Sequence, residues 1–225
     1  MENKCECEIG EDCGSGCPTS GGRHHGCGHG SIGMQVSDPV TMSQTMFQKA
    51  FFKALFDLKV EKLKKKSSEA ISFIKKNGYN ESVCFFIDMT LPSGQNRFFV
   101  YGVAKDSIQK SGLVTHGRCN ELWLEGRKYS NEPGCGCTSL GKYKIGNSYY
   151  GRFGLAYKLY GLDKTNNNAF KRFVVLHSHE CVPETEVQDE ICQSDGCPTI
   201  SPQFLQQLRP LINQSSKPIL LWIFE

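Results

Sequence analysis

A histidine that ends an apolar run, Phe173 Val174 Val175 Leu176 His177, and a cysteine twenty residues later, Cys197 inside a Gly-Cys-Pro turn, are the ingredients of a thiol nucleophile with its base. A thiol attacks only as the thiolate, so it needs a neighbour that takes its proton, and imidazole is the usual one. The backbone N–H groups of Gly196 and Cys197, in a turn leading towards a helix, would face the oxygen of a tetrahedral intermediate. That chemistry is acyl transfer through a thioester. By spacing alone the same two residues also read as core or metal-site residues at strand ends.

Positioning them requires strands that carry each to a common edge. The periodicity over Val83 to Met89 is that of a near-continuous apolar strand, closed by the turn Leu91 Pro92 Ser93 Gly94. Arg97 to Val103 reads as the returning strand and Ile108 to Thr115 as a third, delivering His116, Gly117 and Arg118 to its end. Residues 119 to 138 read as loop. Ser139 to Asp163 alternates aromatic and small residues with frequent glycines, which predicts short strands separated by glycine turns and sheet-on-sheet packing, as in a small barrel or sandwich. After Cys197, Ser201 is placed to cap a helix with Pro202 at its first position and Phe204, Leu205 and Leu208 on its inner face. Lys217 to Glu225 has the continuous apolar character of a buried central strand.

Ahead of the strands, Met46, Phe47, Ala50, Phe51, Ala54, Leu55 and Leu58 recur at helical steps, and a second amphipathic segment, Ser67 to Lys76, stops at Asn77 Gly78. The expected organisation is a tail over residues 1–37, a helical segment over 38–80, and a catalytic domain over 81–225 on which that helical segment packs. The tail is rich in Gly, Cys and His and poor in large apolar side chains. Cys5, Cys7, Cys13, Cys17, Cys27, His24, His25 and His29 read either as a flexible segment that takes up metal adventitiously or as a real soft-metal or redox site.

A chain of 225 residues has room for one ordinary core. Its net charge of +3 is mild and its Lys and Arg are dispersed, which argues against a nucleic-acid partner. No run approaches the roughly 18 apolar residues a membrane span needs, and the amino terminus lacks the pattern of a secretory signal. Of the twelve cysteines, Cys197 alone has a nucleophile-like setting. Cys135 and Cys137 are too close to pair readily with each other, so a partner elsewhere or free thiols are expected.

The succession THGR (Thr115 to Arg118), KYSN (Lys128 to Asn131), SLGKY (Ser139 to Tyr143), YYGRFG (Tyr149 to Gly154), LYGLD (Leu159 to Asp163), NNNA (Asn166 to Ala169), VVLHS (Val174 to Ser178) and SDGCPTISP (Ser194 to Pro202) resembles the murein L,D-transpeptidase catalytic domain family of the YkuD-like group. The resemblance covers about residues 82 to 225 and rests on eight motifs in the right order. It implies a mostly β fold, a β-sandwich with a helix after the catalytic cysteine, here preceded by the amphipathic helical segment. It implies a cysteine enzyme acting on peptidoglycan stem peptides: Cys197 takes an acyl group at the bond to D-alanine and passes it to an amine of another stem, as a transferase, or to water, as a hydrolase. The motif Ser-x-Gly-Cys maps onto Ser194, Asp195, Gly196 and Cys197; the base maps onto His177, and the backbone carbonyl of Ser178 would orient it.

Two departures stand out. The residue before Gly196, often histidine in the wider group, is Asp195, and an acidic neighbour raises a thiol's pKa unless it points away or pairs with a cation. Cysteines at 119, 135, 137, 181 and 192 are not expected of the family. For substrate binding, His116 and Arg118 either line a donor groove, with the Arg118 fork on a stem-peptide carboxylate, or serve ordinary loop roles. Ser139 and Tyr150 read as packing or contact residues, and Ser194 as part of the cysteine motif facing substrate. His179, Glu180 and Cys181 are weighed as metal ligands with His177 and set behind loop roles, so neither a metal nor a cofactor is assigned to the domain. The substrate puts the expected location in the cell envelope. The competing function is a metal-binding or sensing protein that uses the amino-terminal Cys and His cluster, with a domain that binds wall peptide.

Overall fold

The structure, a computed structural model, describes residues 39–225. The Cys and His cluster at positions 5 to 29 therefore lies outside the described residues. Helix α1 (Pro39–Asn77) is continuous and ends where Gly78 takes a left-handed φ of +72°, with Lys75 and Lys76 in a last turn that favours positive charge. Then come β1 (Val83–Asp88), β2 (Phe98–Gly102), β3 (Ser107–Gly112), β4 (Gly141–Gly151), β5 (Gly154–Gly161), β6 (Val175–Ser178), β7 (Thr199–Ile200), α2 (Pro202–Asn213) and β8 (Leu220–Phe224).

The eight strands are hydrogen-bonded in the order β3-β2-β1-β8-β4-β5-β6-β7. The last strand of the chain fills the middle, parallel to β1 and antiparallel to β4. The two ends of this sheet curl until they meet: Val114, just past β3, bridges Ile200 of β7, and the Thr115 N–H donates to the Thr199 carbonyl at 2.9 Å. Mostly β architecture with a helix after Cys197 is thus what the chain adopts.

Both faces of the central strands are covered, which explains why β1 and β8 read as unbroken apolar runs. Successive side chains point to opposite faces. Val83, Phe85 and Ile87 turn inward with Phe98, Val100, Tyr143, Tyr157, Leu159, Leu221 and Ile223, and α2 adds Phe204, Leu205 and Leu208. Cys84 and Phe86 turn outward with Phe99, Tyr101, Leu220 and Phe224, where Leu63, Ala70 and Ile74 of α1 bury them. Earlier along α1, Met46, Phe47, Phe51 and Leu58 are exposed.

Residues 139 to 163 differ from the expected short strands. They form one long hairpin, β4 and β5, with a register shift between Ile145 and Ser148. Gly146 marks no turn; a side chain there would meet the Tyr160 ring at 2.4 Å, so its absence lets the ring lie over the strand. The cysteines resolve into two disulfides, Cys119–Cys137 and Cys181–Cys192, and among the described residues Cys84, Cys135 and Cys197 are free. Among those residues no helix is long and apolar enough to cross a membrane.

Candidate active site

The β6–β7 ladder builds the site. These strands pair in parallel with His177 opposite Thr199 and Ser178 opposite Ile200. Paired positions carry their side chains on one face, and the Thr199 hydroxyl lies 3.0 Å from His177 Nε2. On the other side of the ring, Nδ1 lies 3.1 Å from the Ser178 carbonyl. A carbonyl only accepts, so Nδ1 carries the proton and Nε2 presents a lone pair. Phe153, from the tip of the β4–β5 hairpin, stacks on the imidazole with centroids 4.7 Å apart. Burial holds the His177 pKa below the ordinary imidazole value; the Ser178 carbonyl opposes that effect and His179 adds to it.

Cys197 sits two residues before Thr199. Its Sγ receives the Val175 N–H at 3.5 Å and reaches the Phe173 carbonyl at 3.8 Å. That cradle depends on a tight turn in which Phe173, 84% exposed, holds a left-handed φ of +59°, unusual for a bulky residue. Burial pushes the thiol above its ordinary pKa, the Val175 N–H and Arg172 pull it down, and Asp195 pushes it up. Asp195 is nevertheless paired: Arg118 Nε donates to its Oδ1 at 2.8 Å. The exception that would make an acidic residue tolerable at this position therefore applies.

Gly196 is needed for two reasons. Its φ is +105°, and a Cβ there would come within 2.6 Å of the Cys137 carbonyl. Its N–H donates to Ser194 Oγ at 3.2 Å, while that hydroxyl donates to the Cys197 carbonyl at 2.7 Å.

Around this centre lies a cavity of about 460 Å³ lined by Cys197, His177, Thr199, Ser194, Arg118 and Asp195, with Leu122, Trp123 and Phe153 as its large apolar lining and the Cys181–Cys192 disulfide in its wall. Arg118 and Ser194 thus share a pocket with Cys197 and His177. His116 does not line it: its ring is buried, and Arg97 Nη2 donates to Nδ1 at 3.1 Å. Burial, followed by the Arg97 charge, lowers the His116 pKa to about 4. Ser139 is buried, donates to the Ser130 carbonyl at 2.8 Å and receives Arg172 Nη1. Tyr150 stands on the hairpin, 77% exposed and outside the cavity wall.

Arg172 carries no signal in the sequence that marks it, while Thr115 and Thr199 lie inside the motifs THGR and SDGCPTISP without being singled out there. Arg172 Nη2 reaches the Cys137 carbonyl at 2.6 Å and Cys135 Sγ at 3.2 Å, binding the loop under Gly196 to the turn that cradles Cys197. Thr115 Oγ1 donates to the Cys197 carbonyl at 3.2 Å. Among the described residues, no group of three or more His, Cys, Asp or Glu is placed to hold a metal; His179 Nδ1 accepts the Cys181 N–H at 3.1 Å, and Cys181 is in a disulfide.

The sequence profile of the L,D-transpeptidase catalytic domain matches residues 56–222. No curated protein sequence matches the chain. Similar solved structures include an L,D-transpeptidase from Mycobacterium smegmatis, 12% identical, covering 64% of this chain and 59% of that one with a TM-score of 0.38. Another is the L,D-transpeptidase of Xylanimonas cellulosilytica, 13% identical, covering 68% of each chain with a TM-score of 0.35. A third is the helical cell shape determining protein Pgp2 of Campylobacter jejuni, 14% identical, covering 71% of this chain and 54% of that one with a TM-score of 0.42. The chain spans about three fifths of the length of the first of these.

Proposed function

Because the chain belongs to the L,D-transpeptidase catalytic domain family, we propose that it performs cysteine-dependent acyl transfer on peptidoglycan stem peptides in the cell envelope, with Cys197 as nucleophile and His177 as base. The observation that carries this reading is the arrangement of the imidazole: the Ser178 carbonyl fixes the Nδ1–H tautomer, which leaves Nε2 able to take a proton in the pocket that also holds the Cys197 thiol.

The steps rest on the groups present. His177 Nε2 takes the thiol proton as Sγ attacks the carbonyl of the residue before D-alanine. The tetrahedral intermediate collapses with cleavage of the C–N bond, and the imidazolium gives its proton to the departing D-alanine amine. A thioester on Cys197 remains, and an amine of a second stem, or water, attacks it with His177 again removing the proton. The resting pair is thiol and neutral imidazole, since burial raises one pKa and lowers the other. The ion pair therefore forms as substrate is engaged. In this reading Arg118, held by Asp195 in the wall of the pocket, offers its remaining N–H groups to a stem-peptide carboxylate.

The test is intact-mass analysis of the protein after incubation with a carbapenem, alongside Cys197→Ala. The expected result is one covalent adduct on the parent chain and none on the variant. Equal labelling of the two overturns the assignment. Mass spectrometry of muropeptides incubated with the protein then reads out cross-linking against hydrolysis directly.

A further inference from the structure

We propose that Thr199 is the positioning residue of the base: its hydroxyl holds His177 Nε2 in both proton states, giving a hydrogen bond to the neutral ring and accepting one from the protonated ring. This rests on the reading of His177 as the base for Cys197.

The geometry leaves little freedom. With the Nδ1 proton committed to the Ser178 carbonyl, Nε2 of the neutral ring is an acceptor, so at 3.0 Å the Thr199 hydroxyl is the donor. The same oxygen lies 3.4 Å from the Cys197 carbonyl, a second acceptor for its single proton. Nε2 has one lone pair, so the hydroxyl turns first: rotation about its C–O bond moves the Thr199 proton onto the Cys197 carbonyl and frees the lone pair. As the Cys197 S–H bond then breaks and the Nε2–H bond forms, the new N–H lies within reach of Thr199 Oγ1 as acceptor. Thr199 neither gains nor loses a proton.

Its own position is fixed by the backbone. The Thr199 N–H donates to Thr115 Oγ1 at 3.2 Å and its carbonyl accepts the Thr115 N–H at 2.9 Å, at the seam where the curled sheet closes. The hydrogen bond from a charged ring is the stronger of the two. The exchange therefore favours the imidazolium and offsets part of the burial that disfavours it. Other groups that bear on the ring are His179 beside it, the stacked Phe153, Cys197 within the pocket and the Arg118–Asp195 pair in the wall.

The test compares the parent chain with Thr199→Val, which keeps the shape and removes the hydroxyl, and Thr199→Ser, which restores the hydroxyl. Two readouts are taken on each: the pH profile of Cys197 alkylation by iodoacetamide, mapped by mass spectrometry so that other thiols are not counted, and the His177 titration followed by NMR. With one hydrogen bond lost, the Val variant is expected to alkylate about fivefold more slowly at neutral pH. Its His177 titration moves down, whereas the Ser variant matches the parent. A Val variant with the parent's His177 titration, or one that alkylates faster, overturns the proposal. Thr199→Ala repeats the comparison without the added methyl group if the Val variant is poorly folded. Failure of the carbapenem adduct to form on Cys197 would instead count against the nucleophile assignment, because the His177 titration judges Thr199 independently of it.

Discussion

His116 and His177 are both driven below the ordinary imidazole range by burial, yet they serve different ends because their partners differ. His177 has a carbonyl on one nitrogen and a hydroxyl on the other, so it can exchange a proton at Nε2. His116 accepts from the buried guanidinium of Arg97, which cannot give up its role as donor, so protonating His116 would set two cations against each other. Stability therefore depends on pH through His116. Its folded-state pKa of about 4 lies below the 6.5 of a free imidazole, so between these values the unfolded chain binds more protons. The contribution of His116 is complete above pH 6.5 and declines as pH falls towards 4, by about 3 kcal/mol at most. Urea unfolding of the parent and of His116→Gln at pH 7, 5.5 and 4 checks this: the stability gap between them should narrow with falling pH. A gap that stays constant would show that the Arg97 contact is not linked to protonation. Sequence alone places both histidines at strand ends and cannot distinguish them, since the direction of a side chain at a strand end depends on the neighbouring strand.

At the scale of elements, the loop from His179 to Gln193 connects the strand of His177 to the segment of Cys197, and the Cys181–Cys192 disulfide closes it within the cavity wall. A bridge over this separation removes enough loop entropy from the unfolded chain to contribute about 3 kcal/mol. Replacing both cysteines by serine should lower the denaturant midpoint accordingly and slow carbapenem acylation of Cys197, because Gln193, Ser194 and Asp195 come directly after the bridge. Under reductant the parent should lose at least as much, because the Cys119–Cys137 bridge opens as well, and indifference of the midpoint to both treatments would rule the bridge out as a staple. The elements themselves are largely legible in the sequence. A near-continuous apolar run and the turn after it mark β1 and the returning β2, Ser201 and Pro202 mark the start of α2, where Ser201 Oγ accepts the Phe204 N–H at 3.2 Å, and the unbroken run near the carboxyl end marks the central β8. The β4–β5 hairpin is not, because glycine reads as a turn whether it bends the chain or clears space for a ring, as Gly146 does for Tyr160. Nor are the disulfide pairings, which depend on loops folding back over 11 and 18 positions. Of the pocket, His177, Cys197, Arg118 and Ser194 are readable from motif and spacing. Arg172 is not, and Thr199, though inside the motif around Cys197, is not marked there as a partner of His177, because each acts through contacts made only once β6, β7 and the turn before β6 have come together.

At the scale of the molecule, one sheet separates two apolar layers and belongs to both. Strands β1 and β8 give alternate residues to the inner cluster with α2 and to the outer cluster under α1, so neither layer can melt without disturbing the strands of the other. Leu176 and Ile200 point into the inner cluster, so His177 and Thr199 beside them lie on the opposite face of the sheet, at the seam where β7 meets the chain after β3 and away from the strands under α1. This predicts that the effect of a core change on the site depends on whether its cluster includes β6 and β7. Ile74→Ala on the outer layer and Leu208→Ala on the inner layer, both fully buried, should each cost about 2 to 5 kcal/mol and should each do so within a single unfolding transition. Their effects on the site should differ. In the outer variant the Cys197 acylation rate per folded molecule should match the parent, because the cluster of Ile74 draws on β1, β2 and β8 and on no residue of β6 or β7. In the inner variant that rate should fall, because Leu208 packs in the cluster that contains Leu176 and Ile200, the neighbours of His177 and Thr199 in sequence. Circular dichroism melts paired with the acylation assay distinguish the cases. A separate early transition in Ile74→Ala, or equal slowing of acylation in both variants, would show that the two layers are not coupled through the shared strands in this way.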